Sequence, residues 1–402
     1  MAVGTQGFVR RTRIAAPRMP GGEVNLQAPP EVPRVIPANL VIRLMPVVMV
    51  VAVVGMIALM VSVGGRSMAS NPMMMMFPMM MVMSMAGMLV GGGGRSGKAA
   101  AELNEERKDY FRYLADLRDD AERTGDDQRA ALEWSHPDPG VLVDVVGTRR
   151  MWERRPADGD FCHVRVGVGT HRLATRLLAP ETGPPEDLEP VSTVALRRFV
   201  HTHSVAHAMP TAVSLRAFPS IDFAGDAALI RQLVRAILLE LAVFHGPEHL
   251  QIAVVTRHPD APEWAWVKWL PHAQHPSVVD GVGNMRMMYS SLRDLEVDLA
   301  AELGGRGGYT RGLSVSQGVP HLVVVLDDGY IAGDERLATE SGVENTTLLD
   351  LDASAERLAA KGGLHLVVTD GAIAARTAVG NERFATPDAL SITEAEAAAR
   401  RI

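Results

Sequence analysis

The chain contains a single cysteine, Cys162, among its 402 residues, so it forms no internal disulfide. This scarcity is typical of proteins from a reducing compartment. The neighbouring residues Phe161 and Val164 indicate that Cys162 lies in a buried strand. An excess of positive charge is also lacking, because the formal net charge is −7. This balance gives no general support for binding to nucleic acid or to an anionic lipid surface.

Two motifs of hydrolytic enzymes are absent as well. The chain contains no Gly-x-Ser-x-Gly segment, so serine hydrolase chemistry lacks its nucleophile. It also contains no Gly-Lys-Ser or Gly-Lys-Thr, the part of a phosphate loop that contacts phosphates and magnesium. The glycine-rich segment at Gly97 and Lys98 follows an apolar stretch rather than a strand, and Ala99 replaces the hydroxyl residue. We therefore predict no intact phosphate loop and no catalytic residue in this chain.

Long apolar runs are present near the start of the chain. Residues 44–63 and 72–90 contain no charged residue, and only residues 64–71 separate them. A helix rises about 1.5 Å per residue, so each run is long enough for a hydrocarbon core of roughly 30 Å. We predict two transmembrane helices joined by a periplasmic loop.

The basic residues predict the orientation of this hairpin, because the loop contains only Arg66 while both flanks are basic. The flanking residues are Arg10, Arg11, Arg13, Arg18, Arg34, Arg43, Arg95, Lys98, Arg107 and Lys108. Since translocation disfavours lysine and arginine, we expect a two-pass protein of the inner (plasma) membrane with both termini cytoplasmic. A cleaved signal peptide fits poorly, because the first apolar run is too long and begins too late.

The second apolar run is unusually rich in methionine. Met81, Met83 and Met85 have a spacing that would suit Cu(I), which prefers soft ligands. No cysteine or histidine accompanies them, so we expect no metal site. An adaptable apolar surface that packs against partner helices is the favoured interpretation.

Residues 99–134 contain good helix formers and no proline, which predicts a long helix. Leu103, Tyr110 and Leu117 recur every seven residues, and Leu114 and Ala121 extend the same narrow apolar stripe. Two interpretations stay open. In the first, the helix is a stalk that docks on a partner subunit, and in the second it folds onto its own domain.

Beyond Pro137, apolar runs alternate with helical periodicity. Strands are predicted over residues 141–146, 163–168, 211–215, 250–255, 322–326 and 364–368, and helices over 226–244 and 290–303. This alternation predicts an α/β fold, with a mostly parallel sheet and helices on both faces.

In such a sheet a nucleotide binds at the carboxyl ends of the strands. Asp327 and Asp328 follow an apolar run, as the magnesium-binding carboxylates of a Walker B strand do. The expected place for a phosphate loop is the turn at Gly225 and Asp226, which has no lysine and puts a negative charge where phosphate would bind. We predict a degenerate nucleotide site near these four residues, with no cofactor in this segment.

Two groups of histidines are candidates for metal binding. They are His201, His203 and His207 in one group and His272 and His275 in the other. No cysteine or nearby carboxylate completes either set, so we expect surface or core roles for them.

Several long strings of this sequence resemble the EccC family. They are residues 160–169 (DFCHVRVGVG), 247–255 (PEHLQIAVV), 268–275 (KWLPHAQH), 320–329 (PHLVVVLDDG) and 347–352 (TLLDLD). Together with the two apolar runs and the helical stalk, they make the chain similar to the N-terminal part of EccC. EccC is the FtsK/SpoIIIE-type membrane ATPase of mycobacterial type VII (ESX) secretion systems.

The resemblance implies a degenerate FtsK-like ATPase domain in a hexameric motor that drives WXG100/Esx and PE/PPE substrates across the inner membrane. It implies EccB, EccD and EccE as partners, with the stalk and ATPase-like domain contacting the ubiquitin-like domains of EccD. In that family ATP and Mg²⁺ belong to downstream motor domains, so we expect a longer natural chain.

The expected organisation follows from these segments. It comprises a basic cytoplasmic segment (1–43), two spans (44–63 and 72–90) around a loop (64–71), a linker and stalk (91–136), the ATPase-like domain (137–392) and the start of a linker (393–402). Two other functions stay open. A membrane-anchored FtsK-type DNA translocase would need a motor and a basic DNA-reading domain, neither of which this sequence contains. A membrane-tethered nucleotide-binding regulator would need a working nucleotide site.

Overall fold

The computed structural model describes most of the chain beyond residue 93. The described residues are 12–32, 47–56, 58, 59, 62, 76, 79–81, 83, 84, 94–312, 318–339, 341–352 and 362–402. They form two compact units. The sheet unit comprises residues 1–22, 123–174 and 205–402, and the helical unit comprises residues 23–122 and 175–204.

The two predicted membrane spans lie mostly outside the described residues. Residues 47–56 of the first run are helical. Across the described part of the chain, no helix combines the length and the apolar character needed to cross a membrane. The two-span hairpin therefore stays a prediction.

The helical unit is built on a long helix. Helix α1 runs from Gly94–Ser135, which confirms the helix predicted over residues 99–134, and its last turns belong to the sheet unit. Tyr110 and Leu114 of its apolar stripe are buried against Leu26, Leu196 and Phe199. The stripe is thus covered by the chain's own residues, which favours the second interpretation of this helix over docking on a partner.

The remaining elements have the following bounds. The strands are β1 (Glu23–Asn25), β2 (His163–Arg172), β3 (Arg176–Leu178), β4 (Val205–Ser214), β5 (Ser220–Gly225), β6 (Leu250–Val255), β7 (Gln274–Val279), β8 (Asn284–Arg286), β9 (Met288–Tyr289), β10 (His321–Leu326), β11 (Thr346–Asp350), β12 (Leu364–Thr369), β13 (Ala372–Thr377) and β14 (Gly380–Pro387). The helices are α2 (Leu142–Val145), α3 (Pro190–His203), α4 (Ala227–Phe244), α5 (Pro262–Ala265), α6 (Leu292–Asp298), α7 (Ala300–Gly304) and α8 (Ile392–Ala399).

Within the described residues the sheet unit contains a ten-stranded sheet of order β4-β2-β14-β13-β12-β5-β11-β10-β6-β9. Strands β12, β5, β11, β10, β6 and β9 pair in parallel. The pairs from β4 to β12 are antiparallel. The expectation of a mostly parallel sheet is therefore correct for one half only, because short turns such as Asp370-Gly371 reverse the chain directly.

Helices cover both faces of the parallel half, as predicted. Val323 of β10 packs in one core cluster with Leu233 of α4 and Ala395 of α8. Its neighbour Val324 packs in a second cluster with Leu295 of α6. Since successive side chains of a strand point to opposite faces, the two clusters lie on opposite sides of the sheet.

Three sequence predictions need correction. Residues 141–146 are not a strand, because Asp138 accepts a hydrogen bond from Gly140 N and a helical turn at Pro139 leads into α2. Residues 290–303 form two short helices rather than one, with the break at Leu299. Residues 393–402 are not simply a linker, since α8 packs into the core through Ala395 and Ala398.

Candidate functional site

The four predicted site residues lie at the carboxyl edge of the parallel strands. Gly225 is the last residue of β5, Asp226 follows it, and Asp327 and Asp328 follow β10. Strand β11 lies between β5 and β10, and all three run in the same direction. Arg231 of α4 joins the two pairs, because α4 begins next to Asp226 and Arg231 reaches Asp327. This is the edge at which a doubly wound α/β protein would bind a nucleotide.

Strand β5 leads directly into α4, and the connection forms no loop that could surround a phosphate group. Gly225 adopts φ +122°, and a Cβ atom there would overlap the carbonyl oxygen of Val368. Asp226 Oδ1 accepts hydrogen bonds from Ala228 N at 2.8 Å and Leu229 N at 3.1 Å. The backbone donors that hold phosphate at a helix start are thus already bonded to a carboxylate of the chain.

Asp327 is similarly occupied. Its carboxylate receives two parallel hydrogen bonds from Arg231, from Nε at 2.7 Å and from Nη2 at 2.8 Å. Trp264 Nε1 donates a third hydrogen bond at 2.6 Å, and Asp327 is buried. The same contact raises the pKa of Arg231. A magnesium ion would have to displace a guanidinium that is held in bidentate geometry.

Asp328 is more exposed and is bound by another arginine. Arg257 donates to both the carboxylate and the backbone oxygen of Asp328. Asp328 N donates to Asp352, whose pKa is raised mainly by burial. Asp328 also adopts φ +59°, a conformation that aspartate tolerates better than most residues. Among the residues that the structure describes, no group of three acidic, histidine or cysteine side chains is placed to hold a metal ion.

The sequence alone did not identify Arg231, Trp264, Arg257 or Asp352 as parts of this edge. Arg231 and Trp264 lie 96 and 63 residues from Asp327 along the chain. Arginine and tryptophan carry no motif for this role, so only the fold reveals the contact. Asp352 had a usable signal, since it follows an apolar strand as Asp327 does.

Four of the five candidate histidines are engaged in hydrogen bonds or ring contacts. His272 Nε2 contacts the backbone oxygen of His245, and burial lowers the pKa of His272 to about 4. His275 Nδ1 accepts hydrogen bonds from nearby backbone N–H groups. His207 bonds to a threonine, and the ring of His203 packs on Phe199.

Cys162 is buried, as expected, but it lies just before β2 rather than within it. Its φ is +57°, and its backbone N–H donates to His245 Nε2 at 2.9 Å. Burial raises the pKa of its thiol. The thiol therefore has no nucleophilic role in this environment.

The chain is similar to curated proteins of bacterial secretion systems, although no protein-family model matches it. The ESX secretion system protein EccC of Thermomonospora curvata is 37% identical over 399 residues, which cover 98% of this chain and 30% of that protein. The ESX-1 protein EccCa1 of Mycobacterium tuberculosis is 39% identical over 332 residues, covering 80% and 43%. The ESX-4 protein EccC4 of the same organism is 39% identical over 287 residues, covering 71% and 23%.

Two solved structures also match. One is the cytoplasmic domain of the T. curvata type VII secretion ATPase EccC, with 15% identity, a TM-score of 0.29, and coverage of 66% of this chain and 33% of that one. The other is T. curvata EccC (ATPases 2 and 3) in complex with a signal sequence peptide, with 13% identity, a TM-score of 0.36, and coverage of 65% and 51%. These scores are too low to establish a shared fold. The chain spans less than half the length of each curated relative described above.

Proposed function

Because this chain belongs to the EccC family of ESX secretion systems, we propose that it is the membrane-anchoring and coupling part of a type VII secretion motor. In this role it holds the motor at the inner membrane and transmits movement without hydrolysing ATP itself. Membership of the family supports a role in a secretion system, and the chemistry of the sheet edge supports a role that does not include hydrolysis of ATP.

The occupied nucleotide edge carries this proposal. Hydrolysis of ATP needs donors around the phosphates and a magnesium ion held by carboxylates. The carboxylate of Asp226 already accepts hydrogen bonds from backbone N–H groups at the start of α4. The carboxylate of Asp327 already accepts hydrogen bonds from Arg231 and Trp264. A nucleotide-binding regulator would need the same edge to be open.

The membrane topology and the partners belong to the same proposal. The two apolar runs anchor the chain with both termini in the cytoplasm. EccB, EccD and EccE are the proposed partners within a hexameric assembly, and EccD contacts the chain through its ubiquitin-like domains. Esx and PE/PPE substrates are driven by motor domains in the part of the protein that this chain does not span, where ATP and Mg²⁺ bind.

A nucleotide titration tests the coupling role. We expect the detergent-solubilised 402-residue chain to show no saturable binding of fluorescent ATP with Mg²⁺ at concentrations up to about 1 mM. Even a dissociation constant of that size would correspond to a binding free energy of only about 4 kcal/mol. An intact ATPase of the same class serves as the positive control. Binding in the micromolar range would contradict the proposal and favour a regulator.

Isolation of the complex tests the secretion role. A tagged chain purified from membranes of its own organism is expected to bring down EccB-, EccD- and EccE-like proteins in stoichiometric amounts. Recovery of DNA-processing proteins in their place would favour a translocase of the FtsK kind.

A further inference from the structure

Helix α3 of the helical unit has an exposed stripe along its outer side. Val191 is 53% exposed and Val194 is 64% exposed. Arg198 and His201 continue the stripe toward the end of the helix and are exposed as well. Because these four positions are three or four residues apart, their side chains lie on one side of the helix. We call them the α3 stripe, whose first half is apolar and whose second half is basic.

Helix α1 has an exposed stripe of its own in the same unit. Phe111 is 38% exposed, and Ala115, Asp119 and Glu122 are also exposed. Their spacing of three or four residues again places them on one side of the helix. This side differs from the one that carries Tyr110, which is buried in the core of the unit. We call the four exposed residues the α1 stripe, whose first half is apolar and whose second half is acidic.

The two stripes are complementary in the same order along their helices. When the helices run parallel, the valines of the α3 stripe come opposite Phe111 and Ala115 of the α1 stripe. Arg198 follows Val194 by four residues. Asp119 follows Ala115 by the same number, so the opposite charges meet when the apolar residues do. An antiparallel arrangement would instead bring charged residues against apolar ones.

The charges that meet in this arrangement are not used elsewhere in the described part of the chain. Other charges of α1 are paired within the helix, as Asp109 is with Arg112 at 2.7 Å. In contrast, no described residue of opposite charge lies within ion-pair distance of Arg198 or Asp119. Helix α3 itself contains no acidic residue that could pair with its arginines. The two groups are therefore available to a partner.

Both helices run in the same direction within one chain. Glu189, at the start of α3, accepts a hydrogen bond from Arg107 of α1 at 2.9 Å. At the other end of α3, burial lowers the pKa of His203, on which the charges of Arg118 and Glu122 farther along α1 also act. Copies related by rotation about an axis along these helices keep this common direction. The α3 helix of one copy is then parallel to the α1 helix of the next, as the complementary order requires.

We propose that the α3 stripe of one copy of this chain packs in parallel on the α1 stripe of a second copy. This contact rests on the assembly of several copies that the proposed function includes. Since each copy has a net charge of −7, copies repel one another in general, and a contact between them needs a local match of opposite charges. An exposed ion pair contributes only about 0.2–1 kcal/mol, so the contact forms where the membrane concentrates the copies.

Cross-linking between two differently tagged copies of the full 402-residue chain in membranes tests this contact. One copy carries Val194→Cys, the other carries Ala115→Cys, and a short bismaleimide is added. The native Cys162 gives little background, because it is buried and its thiol has a raised pKa. We expect a product that contains both tags. The matched control pairs Val194→Cys with Glu106→Cys, since Glu106 is exposed on another side of α1, and a much lower yield is expected.

Reversal of single charges tests whether Arg198 meets Asp119. Arg198→Glu or Asp119→Arg alone is expected to lower the yield of the two-tag product about fivefold, because like charges then face each other. Both changes in the same chain are expected to restore the yield. Arg197→Glu is the matched control, because this exposed arginine lies outside the α3 stripe, and it is expected to leave the yield nearly unchanged.

Three results overturn the proposal. The first is a two-tag yield no higher than that of the control pair, and the second is a yield insensitive to both single charge reversals. The third is a double variant that fails to restore the yield. Co-purification of EccB-, EccD- and EccE-like proteins is measured on the same membranes. Recovery of these proteins without the two-tag product counts against this contact alone, whereas their absence counts against the coupling role.

Discussion

At the residue scale, Asp327 has the position of a catalytic carboxylate, but its side chain connects neighbouring elements of the fold. The side chain is 3% exposed and receives hydrogen bonds from Arg231 and Trp264. Its carboxylate accepts two charge-assisted hydrogen bonds from Arg231 of α4 and one from the indole of Trp264 of α5. These bonds connect the end of β10 to both helices. Its contribution is to the stability of the fold.

Replacement of Asp327 by alanine is expected to lower the free energy of unfolding by about 3 kcal/mol, because it leaves Arg231 and the buried indole N–H without their acceptor. Urea denaturation at pH 7 measures this. Asp328→Asn at the exposed neighbour is the control, and we expect a much smaller loss. Equal effects of the two changes would show that Asp327 has no special structural role.

Asp222 is a second buried carboxylate in the sheet. It is paired in register with Asp350 of β11 and with His365 of β12, and His365 Nδ1 lies 2.9 Å from its Oδ2 atom. Burial raises the pKa of Asp222 to about 7, and the charge of Asp350 adds to the shift. Asp222 is therefore protonated in the folded chain over a range in which it ionises in the unfolded chain.

This raised pKa predicts a pH dependence of stability. The folded form binds the proton more tightly, so the contribution of Asp222 is fully present below about pH 4 and is lost as the pH rises through about 7. Asp222→Asn is expected to flatten this decline, with a gain at pH 8 on the order of 2 kcal/mol relative to the unchanged chain and little gain at pH 4. Urea denaturation from pH 4 to pH 8 measures both. A parallel decline in the variant would assign the effect to other groups.

At the element scale, the start of α4 combines a glycine turn with a carboxylate cap. Gly225 provides the positive φ that lets β5 run directly into the helix. The side chain of Asp226 accepts hydrogen bonds from two backbone N–H groups of the first helical turn, which have no acceptor within the helix. Beyond it, Leu233, Ile237 and Leu241 are buried in the core. The cap thus positions a helix whose packing stabilises much of one face of the sheet.

Loss of this cap is expected to be measurable without loss of the fold. Asp226→Ala is expected to lower the free energy of unfolding by about 1 kcal/mol, whereas Asp226→Asn keeps an oxygen acceptor and is expected to cost little. Chemical denaturation compares the two variants. A loss of similar size in both would mean that the charge near the helix start, rather than the hydrogen bonds, is responsible.

Elements were predictable where the pattern was local and strong. Strand β6 has the predicted bounds, residues 250–255, and α4 (Ala227–Phe244) nearly matches the helix predicted over residues 226–244. Residues 141–146 are equally rich in valine, yet they form a helical turn after Pro139. Short apolar runs have little intrinsic preference that tertiary packing cannot override.

At the scale of the whole molecule, the helical unit and the sheet unit each have a core of their own. In the helical unit, Leu114 is 6% exposed, while Phe111 of the same helix is 38% exposed. Leu114 therefore contributes to the core of the unit, whereas Phe111 is open to solvent or to a partner.

This difference predicts a local effect on the helical unit. Leu114→Glu is expected to destabilise that unit by about 3 kcal/mol or more, since it buries a charge among apolar groups. Limited proteolysis with mass mapping should then show faster cleavage within residues 94–122 and 175–204. Phe111→Glu is the control and is expected to leave the cleavage pattern unchanged. Equal protection in both variants would contradict the packing of Tyr110 and Leu114 against the chain's own residues.

The candidate site was readable only in part. Asp226 could be recognised because it stands next to the helix that it caps, and the order of the chain places it there. The partners of Asp327 could not be recognised, because Arg231 lies 96 residues away and the sequence contains many other arginines.

The sequence by itself determined the absence of a phosphate loop, the acidic start of α4 and the family of the chain, since these depend on neighbouring residues and on long matching strings. The tertiary structure alone decided that the carboxylate of Asp327 is held by Arg231 and that half of the sheet is antiparallel. These features depend on pairings between distant segments. Such pairings are selected by the burial of the whole core and not by the local preference of any one residue.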